Sequence, residues 1–210
     1  MPNPPEPLIL ALSALLAYLV GSVPSGAIVA RLYRNVDLTR VGSARTGATN
    51  TARTLGTGAG VIVLLADFAK GAIVSWGAQQ LVGSAAGLSL VGFAAVVGHN
   101  RSVFLRGRGG RGVVTGLGCL AVSTPLIFVA ACLTGCVVAG SSRFISLGSI
   151  CGCAACIVGG LIGFATGALP PEFLLLTIVT PSYIIAAHRD NIRRLSAGTE
   201  RRIGSTSEAQ

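Results

Sequence analysis

From Val113 to Ala187 the chain is almost continuously apolar, with polar breaks at Ser123-Thr124-Pro125, Gly140-Ser141-Ser142-Arg143 and Pro170-Pro171-Glu172. A run of that length has no place in the core of a small soluble domain. In a bilayer, each stretch of about 20 apolar residues becomes a helix that satisfies its own backbone. Three more apolar stretches precede the run, at 8–30, 56–79 and 81–97. Only 11% of the residues are charged, against about 25% in a typical soluble domain. The expected fold is an all-α integral membrane protein, one membrane domain over residues 1–210. The 29 glycines suit helices that pack closely in lipid.

Seven spans are expected, at 8–30, 56–79, 81–97, 113–123, 125–140, 144–168 and 172–187. The stretch 113–123 is too short for a full crossing and reads as a half-length helix. Pro24 should kink the first span. Basic residues gather in 31–53, 99–112 and 188–202, and the positive-inside rule places all three in the cytoplasm. An even number of spans must then join the second cluster to the third. Four short ones fit and put Arg143 inside as well. The result is a seven-transmembrane-helix bundle with its N-terminus outside and a polar cytoplasmic tail at 188–210. Residues 1–7 are polar and Pro-rich without a positive n-region, so no cleaved signal peptide is expected.

The net charge of +9 is not a nucleic-acid footprint, because the arginines fall in clusters between apolar spans. Six cysteines, at 119, 132, 136, 151, 153 and 156, lie in apolar surroundings with no histidine nearby. Cys151 and Cys153 point to different sides of a helix, so small-residue packing is expected rather than metal or disulfide chemistry.

Residues 98–115 carry the most chemistry, with four arginines (Arg101, Arg106, Arg108, Arg111) and four glycines (Gly107, Gly109, Gly110, Gly112). Glycines let successive backbone N–H groups converge on an anion, and a following helix N-terminus adds partial positive charge. Arginine supplies forked donors for phosphate. The alternative is a basic loop that merely sets topology. Gly107, Gly109 and Gly112 also fit a dinucleotide fingerprint, but no Asp or Glu occurs between Asp67 and Glu172 to hold a ribose.

The expected topology brings two further polar stretches to the same side. One is Gly42-Ser43-Ala44-Arg45-Thr46-Gly47-Ala48-Thr49-Asn50 with Arg53, and the other is His188-Arg189-Asp190-Asn191-Ile192-Arg193-Arg194. If helical, the latter puts His188 and Asn191 on one face. Together they describe a cationic, donor-rich site with no nearby free carboxylate. That chemistry suits phosphate-bearing substrates, not metal hydrolysis or a Ser-His-Asp triad. Asp67 and Lys70, three apart within a span, read first as a mutually neutralised structural pair and otherwise as functional groups.

Six motifs carry a resemblance. They are Tyr18-Leu-Val-Gly-Ser-Val-Pro-Ser-Gly26, Gly47-Ala-Thr-Asn50 with Arg53, Asp67-Phe-Ala-Lys70-Gly71, Gly98-His-Asn100, Gly109-Gly-Arg-Gly112, and His188 to Arg193 continuing to Gly198-Thr-Glu200. In this order, over nearly the whole chain, they resemble the bacterial membrane acyl-phosphate:glycerol-3-phosphate acyltransferases. The resemblance implies a seven-helix membrane bundle with a cytoplasmic-side active site in the bacterial inner (cytoplasmic) membrane. It implies acyl transfer from acyl phosphate to the 1-hydroxyl of glycerol 3-phosphate, giving lysophosphatidic acid and inorganic phosphate. No cofactor or metal is implied, and a substrate phosphate group takes the proton in place of a protein base. By motif position, Ser43, His188 and Asn191 are the catalytic candidates. Arg45, Thr49, Asn50, Arg53, His99, Asn100, Gly109, Gly110, Arg111 and Gly112 are the phosphate-binding candidates. The implied partners are the two substrates and the lipid bilayer. The enzyme itself is expected to be a monomer, and the enzyme that generates acyl phosphate is a candidate contact.

The chain departs from the family's usual pattern in three places. Gly42-Ser43-Ala44-Arg45 stands where Gly-Ser-Gly-Asn is usual, Arg111 where Lys is usual, and Arg101-Ser102 where Phe-Pro is usual. Ala44 gives up glycine's access to positive φ, and Arg111 replaces a point charge with a larger fork. A diverged paralogue with another phosphorylated acceptor, or a non-catalytic anion- or lipid-binding transporter, are the competing readings.

Overall fold

The computed structural model describes residues 7–204. The leading residues 1–6, on which the signal-peptide and outer N-terminus expectations fall, lie outside the described residues, as do the last six of the expected tail. Every regular element among the described residues is helical.

Helices α1 (Pro7–Ser22) and α2 (Ser25–Arg34) make one span of 28 residues, broken at Val23-Pro24 as the proline requires. The break frees backbone carbonyls, and two polar side chains answer them. Lys70 Nζ donates to Val23 O at 3.1 Å, and Ser102 Oγ donates to Ser22 O at 2.6 Å. The short α3 (Ala48–Leu55) follows an irregular loop, then α4 (Thr57–Leu81) and α5 (Ala85–Asn100). After a 3-10 turn at Val103–Leu105 come α6 (Val113–Ser123), α7 (Pro125–Ser142) and α8 (Ile145–Ala165). The last stretch runs through a 3-10 turn (Pro171–Phe173) and a π-helical segment (Leu175–Val179) into α9 (Thr180–Ala187). It then bends by 60° into α10 (Arg189–Ser196).

Five helical stretches are long and apolar enough to cross a membrane, and the bent α9–α10 stretch makes a sixth. The fourth expected span is present as α6 but has only 11 residues. At 1.5 Å per residue α6 is about 16 Å long, roughly half of a hydrocarbon core about 30 Å thick. By length alone the seven-span count therefore stops at six. At Gly98 and Gly118 a Cβ would overlap the carbonyls of Tyr18 and Phe68, so α1–α5 and α4–α6 meet backbone to backbone. All six cysteines are free, and Cys119 is sealed in the core with Val91, Ala95 and Leu176. Cys153 and Cys156 are buried too, whereas Cys136 is exposed.

The polar segments gather at one end of the bundle. Arg53 Nη2 lies 3.5 Å from Arg201 O, and Arg201 Nη2 lies 3.4 Å from Gly42 O. Ile203 N donates to Arg143 O at 2.7 Å. A strap, Thr199 to Ile203, thus ties the α7–α8 junction to the 41–47 loop and α3.

Candidate active site

A cleft of about 320 Å³ opens at this end. Its first wall is the 41–47 loop with α3. Asn50 shapes that loop: its Oδ1 accepts from Ser43 N at 3.0 Å, and its Nδ2 donates to Val41 O at 3.1 Å and Arg45 O at 2.8 Å. Both Nδ2 protons of Asn50 are thus used in folding the loop that presents Ser43, Arg45 and Thr49 to the cleft, which Asn50 also lines.

The second wall is the glycine-rich turn before α6. Gly110 N donates to His99 O at 3.1 Å, and Asn100 Nδ2 donates to Arg111 O at 3.4 Å. A Cβ on Gly109 would strike the His99 carbonyl, and one on Gly110 would strike the His99 ring. The end of α5 is therefore the mould for this turn. Gly110, Arg111, Gly112 and the His99 ring face the cleft, whereas Asn100 and Gly109 stand behind it as supports. Burial pulls the Arg111 guanidinium down to about 10, helped by nearby Arg45 and Arg194. It stays charged at neutral pH. Arg106 and Arg108, counted with Arg111 in the sequence, do not reach the cleft.

The third wall is α10 with the strap. Asn191 Nδ2 donates to Glu200 Oε1 at 2.7 Å, Ser146 Oγ donates to the same oxygen at 2.9 Å, and Arg194 Nε meets Oε2 at 2.7 Å. Burial raises the Glu200 pKa, but the bonds from Asn191, Ser146 and Arg194 outweigh it and hold the carboxyl below its usual value. His188 is 2% exposed at the α9–α10 bend, its Nδ1 2.8 Å from Ile184 O. A carbonyl only accepts, so Nδ1 carries a proton, and in the neutral form of the ring Nε2 is an acceptor.

Four helices begin at this cleft. α3 starts after Gly47, α6 after Gly112, α8 after Phe144 and α10 after His188, none with a side-chain cap. Residues of each first turn line the cleft: Ala48 and Thr49, Val113 and Val114, Ile145 and Ser146, and Asn191. Each such terminus carries about half a positive charge and free N–H donors. With Arg45, Arg53 and Arg111 added, the cleft is built to hold anions.

The expected site lacks a free carboxylate; the cleft does hold two carboxylates, Glu200 and Asp67. Neither is free, however. Asp67 Oδ1 lies 2.9 Å from Lys70 Nζ and 3.6 Å from His99 Nδ1. Sequence reasoning also misses α8, which contributes Ser146 and Ser149. The start of α8 after Arg143 is the signal that could have found it. Glu200 lies inside the last matched motif, where the sequence alone reads as polar tail.

The family model described as glycerol-3-phosphate acyltransferase matches residues 11–198. The chain belongs to this family. As a glycerol-3-phosphate acyltransferase family member it is 44% identical over 202 residues to an enzyme so named from Thermus thermophilus, covering 93% of this chain and 96% of that one. A Deinococcus radiodurans glycerol-3-phosphate acyltransferase 1 is 39% identical over 193 residues, covering 92% and 95%. The crystal structure of PlsY, an integral membrane glycerol 3-phosphate acyltransferase, in its glycerol 3-phosphate form superposes with a TM-score of 0.84 at 38% identity, over 93% of this chain and 96% of that one. Its lysophosphatidic acid form gives 0.82 at 37%. Within this acyltransferase family member, Ala44 holds φ at 53°. An L-residue in that left-handed region costs about 1–2 kcal/mol. Ala44 therefore carries a strain that a glycine at this position would not.

Proposed function

We propose that the chain transfers a fatty acyl group from acyl phosphate to the 1-hydroxyl of glycerol 3-phosphate, yielding lysophosphatidic acid and inorganic phosphate. One observation carries the reading. The cationic cleft opens into an apolar pocket of about 260 Å³ between α6, α7, α8 and α9, with Leu64, Val113, Ile145 and Ser149 lining both. A donor with a phosphate head and a hydrocarbon tail fits that junction, head among the helix N-termini and tail in the pocket.

In this reading Arg45, Arg53 and Arg111 hold the phosphates, and the N–H groups around Thr49, Gly110 and Gly112 complete their cradle. Gly109, Asn50 and Asn100 keep the cradle in shape, and His99 backs it. Ser43, His188 and Asn191 position the glycerol hydroxyl. Asn191, its Nδ2 fixed on Glu200, has a buried Oδ1 with no hydrogen-bond partner, and that oxygen is the acceptor for a hydroxyl. The hydroxyl oxygen attacks the acyl carbonyl carbon, the bond from that carbon to the phosphate oxygen breaks, and the departing phosphate takes the hydroxyl proton. No protein carboxylate is required, which agrees with Glu200 and Asp67 both being engaged.

The test is a purified-protein assay with radiolabelled glycerol 3-phosphate and either acyl phosphate or acyl-CoA. Lysophosphatidic acid is expected with acyl phosphate alone. Comparable turnover with both donors would overturn the donor assignment.

The proposal includes seven crossings in the bacterial cytoplasmic membrane, with the cleft facing the cytoplasm. Parity supports it: Arg143 bonds the strap at the same end as the 101–112 turn, and in this reading α6 and α7 make the two passes between them. The acyl donor would be made by a separate acyl-phosphate-generating enzyme. Single cysteines at positions 45, 108 and 196, on a background without native cysteines, are expected to label from the cytoplasmic side only. Labelling of position 196 from outside would refute the count.

A further inference from the structure

The turn between α5 and the glycine-rich wall has a second face. Gly110, Arg111 and Gly112 line the cleft, whereas no residue of 101–108 does. Val103 is 51% exposed and Phe104 is 59% exposed. Arg101, Arg106 and Arg108 are exposed beside them, and no ion pair involves these three among the described residues. No acidic residue occurs between Asp67 and Glu172 to neutralise them.

This is a fixed shape and not a loose loop. Ser102 Oγ is anchored to Ser22 O at 2.6 Å, and Tyr18 Oη donates to Arg101 O at 3.0 Å. Gly107 N closes the turn on Ser102 O at 2.8 Å. Arg106 and Gly107 follow with positive φ, at 51° and 79°. The 3-10 turn is also the last part of an apolar span running Ala85–Leu105. Phe104 therefore sits where hydrocarbon gives way to headgroups, with guanidinium groups immediately beyond. The neighbouring span, Pro7–Arg34, ends in the same pattern. Leu32 is 83% exposed and Tyr33 64%, between the exposed Arg31 and Arg34. Asp37 lies near Arg31, but its carboxylate is taken by Arg40 at 3.3 Å and by Thr39.

We propose that residues 101–108 form a docking surface for anionic phospholipid headgroups. Val103 and Phe104 enter the acyl boundary, and Arg101, Arg106 and Arg108 bind lipid phosphates. Arginine forks suit phosphate diesters, and clusters of basic residues just beyond a span recognise anionic lipid. The surface is distinct from the cleft, since none of these residues lines it. Its consequence is mechanical. The turn that fixes Gly109 to Gly112 is held at headgroup level by the lipids it binds.

The test uses the full chain in nanodiscs of phosphatidylcholine mixed with an equal share of phosphatidylglycerol, with retained lipid counted by native mass spectrometry. The parent should retain phosphatidylglycerol selectively. Each arginine removed, as Arg101→Gln, Arg106→Asn or Arg108→Gln, should weaken that selectivity by about fivefold. Asn suits the positive φ at position 106, so the turn is kept. Replacing the same three by lysine should preserve most of the selectivity, which separates charge loss from misfolding. Phe104→Ser should reduce retention of both lipids alike. Equal retention of the two lipids by the parent, or selectivity unchanged in the triple neutral variant, would overturn the proposal. Binding of a soluble acidic protein to the patch without lipid selectivity would overturn it in favour of a protein partner.

Discussion

Replacing Lys70 by methionine should lower the unfolding free energy by about 3–5 kcal/mol, because it strands the Asp67 carboxylate in a buried site. The side chains of Lys70 and Asp67 are only 8% and 3% exposed, and their charges are 2.9 Å apart. Methionine matches the length of the lysine stem, so little packing is lost. What goes is the counter-charge and the bond to Val23 O at the Pro24 break. The double variant Lys70→Met with Asp67→Asn should recover most of the loss, since no uncompensated charge remains. Thermal unfolding of the purified proteins in one detergent measures both. If single and double variants melt together, the pair is not what stabilises this region.

Arg111→Ala should reduce kcat/KM by roughly tenfold to a hundredfold. A charge-assisted hydrogen bond to phosphate is worth about 1.5–3 kcal/mol, and each factor of ten in rate corresponds to about 1.4 kcal/mol. Arg111 is the arginine of its turn that reaches the cleft, and its buried Nε has no hydrogen-bond partner. Arg111→Lys should restore a good part, because a point charge still binds phosphate. The measurement is steady-state kinetics on both variants at matched membrane expression. Near-normal activity of the alanine variant would reduce the turn to a topology determinant, with Arg106 and Arg108 keeping it positive.

Most of the helices were legible because a bilayer imposes a length on apolar segments and punishes interruptions. The expected stretches 56–79 and 144–168 became Thr57–Leu81 and Ile145–Ala165, shifted only at their ends. Pro24 broke its helix for a purely local reason. The short α6 was also visible as a short apolar run. The 60° bend at His188 was not, because no proline or glycine marks it. The motifs supplied residue types but not partners. Asn50 carries the same amide whether it binds substrate or folds a loop, and only the positions of Val41 O and Arg45 O decide. Glu200 escaped for a related reason. Its contact with Ser146 spans 54 positions, and that of Arg201 with Gly42 spans 159. No local pattern encodes such closures.

The strap gives the cleft a place in time as well as in space. Ser43 is the first of the cleft-lining residues in chain order, and Glu200 follows every membrane helix. Since chains emerge N-terminus first, all the spans can be inserted while Asn191 and Arg194 still lack their carboxylate. The cleft acquires its third wall only when Thr199 to Ile203 folds back onto α8 and the 41–47 loop. During biogenesis, insertion and competence are therefore separate events. A nascent chain can be fully threaded through the bilayer and still be unable to hold its substrates.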